Sequence, residues 1–235
     1  MLKLVENIYA VDLCTYLPDI KTIIISDLHL GFEEALGKQG VLVPRVQFKD
    51  IIARLDWIIS AVPVEKVVLN GDVKHEFGTI SKQEWREVTR LVEYFRNKKI
   101  EIIAVKGNHD TIFGPLAKKL QIIEVRELKH KNILIAHGDY VPTKLLPIII
   151  IGHEHPAITL REKAKSEKFK CFLKTKFKGS ILIVQPSFNP LTQGTDVLKE
   201  QVLSPLLTNL SAAEVFVVND KTHEVLGFGK LKNLA

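Results

Sequence analysis

The sequence predicts an α/β protein, and three observations support this class. Short runs rich in Ile and Val alternate with longer segments whose apolar residues recur every three or four positions. Five of the short runs end in a glycine or another small residue followed by Asp, Asn or His. No internal repeat, low-complexity run or linker divides the chain. We therefore expect one domain over residues 1–235.

Eight segments have the pattern of strands; β-branched residues are prominent in seven of them, and polar or turn residues bound them. In chain order these segments are residues 22–25, 66–70, 102–105, 132–136, 147–151, 168–178, 180–184 and 214–218. Residues 168–178 differ from the others because apolar residues alternate there with lysines. This alternation predicts a strand with one buried face and a row of lysines outside.

Two helices are predicted in the first half of the chain. The first begins near Pro44, which suits an initial helical turn, and it ends at Pro63. The second begins at a capping box formed by Ser81 and Glu84. Both helices have one apolar face, which indicates packing against a sheet.

Composition excludes several classes of protein. Apolar residues make up 46% of the 235 residues, enough for a substantial core. Cys14 and Cys171 are too few for a disulfide framework or a cysteine-rich zinc site, so any metal must be held by His, Asp, Asn or Glu. The N-terminus lacks a signal-peptide pattern, and the most apolar run, residues 145–151, is far shorter than the ~20 residues of a membrane span. We expect a cytoplasmic protein without a membrane partner.

Polar side chains follow the ends of five predicted strands. Alone, each group could be an ordinary turn, and His130 and His223, outside this pattern, are expected to be surface residues. However, five of the eight histidines lie within four residues of a strand end. Open α/β sheets place ligand sites beyond the carboxyl ends of their strands, so these groups can converge in space. They are Asp27, His29, Asp72, Asn108, His109, Asp110, His137, His153 and His155.

Two of these groups have a spacing suited to a shared ion. Asp27 and His29 are two positions apart, as are His153 and His155. If the backbone is extended at these positions, both side chains of each pair point to the same side. Each pair could then contribute two ligands to one metal ion.

The ordered blocks resemble the five-block signature of the calcineurin-like metallophosphoesterases. The blocks are Asp27-x-His29, Gly71-Asp72, Gly107-Asn108-His109-Asp110, His137 and Gly152-His153-x-His155. The resemblance covers residues 22–156 and is closest to compact archaeal and bacterial ICC-like, Mre11/SbcD-related phosphoesterases. It implies a two-sheet β-sandwich flanked by helices, with a dimetal site at the sheet edge. Residues 157–235 would then supply further strands of the second sheet and a basic edge.

The resemblance also implies roles for individual residues. Asp27, His29 and His155 would hold the first metal, whereas Asn108, His137 and His153 would hold the second, with Asp72 bridging the two. Oxygen and imidazole ligands suit Mn²⁺, Fe or Zn²⁺, and the family precedent favours Mn²⁺. Two such ions lower the pKa of a shared water, so a hydroxide would attack phosphorus in line.

His109 matches the family's catalytic histidine, which assists the leaving group and does not bind metal. Asp110 could orient His109, although it could equally cap a helix. Many family members have Gly-Asp-x-x-Asp in the second block, and the last Asp supports the catalytic histidine. This chain has His75 at that position. Asp110, His75 or Glu76 could take over the supporting role.

Residues 161–178 carry eight basic and two acidic side chains. They are either a solvated edge strand that lysines protect from aggregation or a track for the phosphate backbone of DNA or RNA. The whole chain has a net charge of +6 and a pI near 9.2, which favours anionic partners.

Three functions are compatible with these patterns. The leading prediction is a metal-dependent phosphodiesterase with possible nuclease activity, for which the resemblance makes DNA repair a natural setting. A phosphatase or phosphodiesterase for small metabolites or nucleotides is the second. The third, a non-catalytic scaffold, is disfavoured because every expected ligand position and His109 are present.

Overall fold

Two mixed β-sheets face each other in the computed structural model, which describes residues 1–162 and 165–234. Strands β1–β7 form the first sheet in chain order; β1–β4 pair antiparallel, and β4–β7 pair parallel. These strands are β1 (Leu2–Val5), β2 (Ile8–Val11), β3 (Cys14–Leu17), β4 (Thr22–Ile25), β5 (Lys66–Asn70), β6 (Glu101–Val105) and β7 (Ile123–Val125). The carboxyl ends of the parallel strands β4, β5 and β6 therefore lie at one edge.

In the described part of the chain, the second sheet contains nine strands. Seven follow the order β14-β11-β12-β13-β10-β9-β8, β15 pairs with β12, and β16 pairs with β15. They are β8 (Glu127–His130), β9 (Ile133–Ala136), β10 (Ile148–Ile151), β11 (Pro156–Glu162), β12 (Lys165–Phe177), β13 (Ser180–Val184), β14 (Thr195–Asp196), β15 (Glu214–Val218) and β16 (Val225–Lys230). Strands β9, β10 and β13 are parallel, so their carboxyl ends also meet at one edge.

Among the described residues, four α-helices accompany the sheets: α1 (Phe32–Lys38), α2 (Gln47–Ala61), α3 (Lys82–Asn97) and α4 (Gly114–Lys119). The capping box predicted for α3 is confirmed, because Ser81 accepts from the Glu84 backbone and Glu84 accepts from the Ser81 backbone. Helix α2 begins at Gln47, three residues after Pro44. Its start is set by the Glu33 carboxylate, which accepts the backbone N–H groups of Val46 at 2.6 Å and Gln47 at 2.7 Å.

Strand β10, in the second sheet, is buried on both faces. Ile148 and Ile150 of β10 pack in a core shared with the first sheet and with α2 and α3. Ile149 and Ile151 of the same strand pack on the opposite face, against the C-terminal segment that includes Leu207. This alternation explains why β10 is apolar at every position. The two-sheet architecture with flanking helices agrees with the predicted fold class.

The expected outward row of lysines on β12 is wrong at one position. Lys170 is only 5% exposed, and its Nζ donates to the backbone carbonyl oxygens of Ser187 and Asn189. The loop after β13 covers this side of the strand, so position 170 faces protein rather than solvent. Lys163, another member of the predicted basic segment, lies outside the described residues. Within the described part of the chain, no helix has both the length and the apolar character that crossing a bilayer requires.

Candidate metal centre

Backbone hydrogen bonds join the loops that follow β4 and β5. The N–H groups of Asp27 and His29 donate to the carbonyl oxygens of Gly71 and Asp72, at 3.2 and 2.8 Å. The backbone N–H of His153, after β10, donates to the Asp27 carboxylate at 3.1 Å. Loops from both sheets are thus fixed against one another, and their polar side chains converge at one edge.

The backbone at these positions is not extended, which corrects the expectation for the two spaced pairs. Asp27, His29, His153 and His155 all have positive φ, at 57°, 45°, 65° and 50°. The left-handed conformation costs energy for residues with a side chain, and such strain is concentrated at functional sites. The paired side chains converge because the chain turns sharply at each position, rather than because alternate residues share a face.

The first cluster contains Asp27, His29 and His155, whose candidate ligand atoms all lie within 4.8 Å of one another. His29 Nε2 is 3.4 Å from His155 Nε2, and His155 Nε2 is 3.1 Å from Asp27 Oδ1. Two nitrogens bound at ~2.1 Å to one tetrahedral ion would be separated by roughly 3.4 Å. The spacing therefore fits a shared cation.

The second cluster contains Asp72, His137 and His153, again with ligand atoms within 4.8 Å of one another. Asn108 adds an amide oxygen 3.0 Å from His137 Nε2. His137 Nδ1 faces the carbonyl oxygen of Asn70 at 3.2 Å, which leaves Nε2 for the centre.

Asp72 lies between the two clusters. Its Oδ2 is 3.7 Å from His29 Nε2 in the first cluster and 3.3 Å from His137 Nε2 in the second. One carboxylate oxygen is therefore close to the candidate ligands of both clusters. This is the position that a bridging ligand would occupy.

The electrostatics suit cations. Burial opposes ionisation of Asp72, but the hydrogen bond and charge of His137 outweigh it, so the pKa of Asp72 lies below its ordinary value. Burial would lower the pKa of His137, yet Asp72 and Asp27 raise it to about 10. Burial and the nearby His155 lower the pKa of His29 to about 3. The ionised Asp72 carboxylate and the neutral His29 imidazole are suitable donors for a divalent metal, whereas the His137 imidazole must release a proton before its Nε2 can bind one.

Glycines make this packing possible. A β-carbon at Gly71 would collide with the His137 imidazole, and one at Gly107 would collide with the Asp72 carboxylate. Gly71 also has a φ of +80°. Gly71 therefore lets His137 approach the backbone closely, and Gly107 does the same for Asp72.

His109 adjoins the centre. Its Nε2 is 3.9 Å from Asp72 Oδ2, and its Nδ1 faces the carbonyl oxygen of His75. The His75 ring is parallel to the His109 ring within 25°, and His75 Nδ1 is 3.4 Å from His29 Nδ1. His75 therefore supports His109 through its backbone oxygen, while its side chain extends the cluster.

Asp110 is in a different environment. Its buried carboxylate accepts the backbone N–H groups of Gly107 at 3.1 Å and Val73 at 3.2 Å. Burial and the Asp72 charge raise the pKa of Asp110 to about 6. Among the hydrogen bonds of the described residues, none joins the Asp110 carboxylate to the His109 ring. Asp110 thus organises the loops beneath the centre.

Sequence reasoning missed several supporting residues. Buried Lys74 donates from Nζ to the carbonyl oxygen of His109 at 2.8 Å. Gln47 Nε2 donates to the carbonyl oxygen of His29 at 2.9 Å, and Ser187 Oγ donates to that of Asp27 at 2.8 Å. Their partners lie far away in sequence, so local patterns carry no signal of these contacts.

The comparisons with known proteins agree with this geometry. A family model described as calcineurin-like phosphoesterase matches residues 20–216. The chain belongs to this family. It is therefore a metallohydrolase that acts on phosphate esters.

Two solved structures are similar to this calcineurin-like phosphoesterase. The crystal structure of the nuclease MPE from Pseudomonas putida superposes with a TM-score of 0.69 at 19% identity, covering 94% of each chain. A protein of unknown function from Aquifex aeolicus gives a TM-score of 0.36 at 20% identity, covering 57% of this chain and 78% of its own. At this level of identity the first likeness concerns the fold alone. No curated protein matches the sequence.

Proposed function

We propose that this phosphoesterase is a manganese-dependent phosphodiesterase with nuclease activity. The observation that carries the proposal is the position of Asp72 Oδ2, within 4 Å of both His29 Nε2 and His137 Nε2. A carboxylate shared by two ligand clusters is the arrangement that two-metal phosphoryl transfer requires.

Each cluster would hold one ion. The first would use Asp27, His29 and His155, the second Asn108, His137 and His153, and Asp72 would be common to both. Oxygen and imidazole donors without thiolate suit Mn²⁺, which we favour over Fe and Zn²⁺. When bound, two such ions supply an activated water and neutralise charge on the phosphoryl group.

His109 would serve as the general acid. As water adds to phosphorus, the bond between phosphorus and the leaving oxygen breaks, and that oxygen takes the proton from His109 Nε2. The contact between Nδ1 and the His75 carbonyl oxygen holds the ring with Nε2 towards the centre. An imidazole ring can both donate this proton and recover one from solvent.

Three observations favour a nucleic acid over a small metabolite. The chain is basic, with a net charge of +6. A cleft of about 890 Å³ has four basic side chains in its lining, Arg54, Lys168, Lys170 and Lys199, against three acidic ones, Asp50, Glu167 and Asp220. The similar structure from Pseudomonas putida is a nuclease. Phosphate contacts by Lys and Arg dominate such binding.

The test is a hydrolysis assay with Mn²⁺-loaded protein on bis(p-nitrophenyl) phosphate, p-nitrophenyl phosphate, and short single- and double-stranded DNA. We expect hydrolysis of the diester and cleavage of DNA, both lost on metal removal. His109→Ala should reduce diester hydrolysis by about 10²- to 10⁴-fold. His130→Ala, in which a partly exposed imidazole beside Asp19 is removed, is the matched control.

The outcomes separate the alternatives. Diester hydrolysis without DNA cleavage would favour a nucleotide or metabolite substrate and contradict the nuclease assignment. Preference for the monoester would contradict the phosphodiesterase assignment. Full activity in a metal-free preparation would contradict the two-metal mechanism altogether.

A further inference from the structure

Phe77 is an exposed aromatic side chain beside the candidate general acid. Its ring centroid lies 3.7 Å from that of His109, with the planes tilted by 34°, and the residue is 56% exposed. The His109 imidazole that it contacts adjoins the metal centre. Covering such a ring with a ligand removes apolar surface from water, which favours binding.

The two residues immediately before Phe77 are held in place by Glu84 and Lys38. The Glu84 carboxylate accepts the backbone N–H groups of His75 at 3.0 Å and Glu76 at 2.6 Å. The Glu76 carboxylate pairs with Lys38 at 2.9 Å. These contacts fix the residues immediately before Phe77, so the ring is presented at the site rather than free to fold back into the core.

The proposed role of His109 indicates which part of the substrate lies next to the Phe77 ring. If His109 protonates the leaving oxygen, then the group bonded to that oxygen lies next to His109 and hence next to Phe77. We propose that Phe77 is a stacking platform for the nucleobase on the leaving-group side of the scissile phosphate. The substrate class is then a nucleotide diester whose leaving group carries a base. This inference rests on the proposed phosphodiesterase function.

The expected effect of stacking on affinity has a typical range. Stacking of one base on an aromatic side chain typically changes affinity by roughly 5- to 150-fold. A ring that merely shields His109 from water would be indifferent to the base. Dependence of the rate on the base therefore separates a specificity role from a shielding role.

The experiment uses the Mn²⁺-loaded full chain and three substrates: the dinucleotide d(TpT) and two analogues with an abasic residue on one or the other side of the phosphate. Analysis of the d(TpT) products shows which side leaves. For the wild type, we expect kcat/KM to fall by roughly 5- to 150-fold when the leaving-side base is absent. Loss of the other base should have a smaller effect.

Variants then assign the effect to Phe77. Phe77→Ala should hydrolyse d(TpT) and the leaving-side abasic analogue with equal kcat/KM, whereas Phe77→Trp should retain the preference. Leu226→Ala, which removes another exposed apolar side chain on β16, should behave as the wild type. Thermal unfolding of each variant checks that it is folded.

Two results would overturn the inference: a wild type that ignores the leaving-side base, or a Phe77→Ala variant that keeps the full preference. Hydrolysis of bis(p-nitrophenyl) phosphate shows whether only the role of Phe77 is wrong or the proposed phosphodiesterase function as well. If the wild type hydrolyses it without base preference in d(TpT), only the role of Phe77 is wrong. If it does not hydrolyse this diester, the proposed function fails and the inference fails with it.

Discussion

The Nδ1 atom of His109 faces the backbone carbonyl oxygen of His75. A main-chain oxygen, rather than a carboxylate, therefore supports this histidine. A backbone acceptor is only as fixed as the segment that carries it. The orientation of His109 therefore depends on the residues that hold the backbone at positions 75 and 76.

Glu84 is the main anchor of that segment. Its buried carboxylate accepts the backbone N–H groups of His75, Glu76 and Ser81, at 3.0, 2.6 and 2.5 Å. We expect Glu84→Gln to lower kcat for diester hydrolysis and to reduce the free energy of unfolding by about 1–3 kcal/mol, because an amide cannot accept all three bonds.

The measurements for Glu84 are urea unfolding and steady-state kinetics. Glu93→Gln, an exposed position on the same helix, is the matched control and should change neither quantity. An unchanged kcat in Glu84→Gln would contradict the anchoring role.

The second prediction concerns the contribution of a buried ion pair to the free energy of unfolding. Asp12 is fully buried, and its Oδ2 lies 2.5 Å from Arg54 Nε and 3.2 Å from His223 Nδ1. Burial raises the pKa of Asp12, and Arg54 opposes that rise. Arg54→Leu should reduce the free energy of unfolding by about 3–5 kcal/mol at neutral pH, because it leaves the carboxylate without its main partner.

A double-mutant cycle checks the cause. Asp12→Asn keeps a residue that tolerates the local φ of 51°, and it removes the charge. Chemical denaturation of Arg54→Leu with Asp12→Asn should show a smaller loss than the sum of the single variants. Simple additivity would mean that Arg54 contributes by packing rather than by pairing with Asp12.

Because Lys170 is buried, we expect the free energy of unfolding to depend on pH. Burial lowers the pKa of Lys170 to about 7, well below the ordinary value of 10.5 that it regains on unfolding. Between these pH values the unfolded chain binds the proton and the folded chain does not, so this residue makes stability rise with pH. The slope from this group is at most about 1.4 kcal/mol per pH unit.

The test compares the wild type with Lys170→Met by denaturation at pH 7, 8.5 and 10. The difference in the free energy of unfolding, wild type minus variant, should increase across this range. Lys165→Met, an exposed position on the same strand, should give a constant difference. A constant difference for Lys170→Met as well would show that the lysine is charged in the folded protein throughout.

Much of the centre was predictable because parallel strands end at a common edge. The seven candidate ligands follow strands that are obvious in the sequence, and the structure brings their side chains together. The supporting layer was not predictable. Glu84, Gln47 and Lys74 act on backbone groups of other segments, and their sequence neighbourhoods resemble ordinary helix or loop residues.

Two local errors have the same origin. The left-handed backbone at Asp27 and His29 depends on hydrogen bonds to the loop at Gly71 and Asp72, so tertiary contacts override the extended conformation of a strand end. Lys170 alternates in sequence like its neighbours on β12, but the loop at Ser187 covers it. In both cases a distant segment decides the local structure.

The central claim is that seven side chains form one cage for two cations, with Asp72 between them. Its most direct test is anomalous scattering from crystals of the protein grown with Mn²⁺. We predict two Mn²⁺ peaks per chain, roughly 3.5–4 Å apart and on either side of Asp72 Oδ2, with one or both lost in Asp72→Asn. A single peak in the wild type, or two peaks that do not share Asp72, would contradict the account.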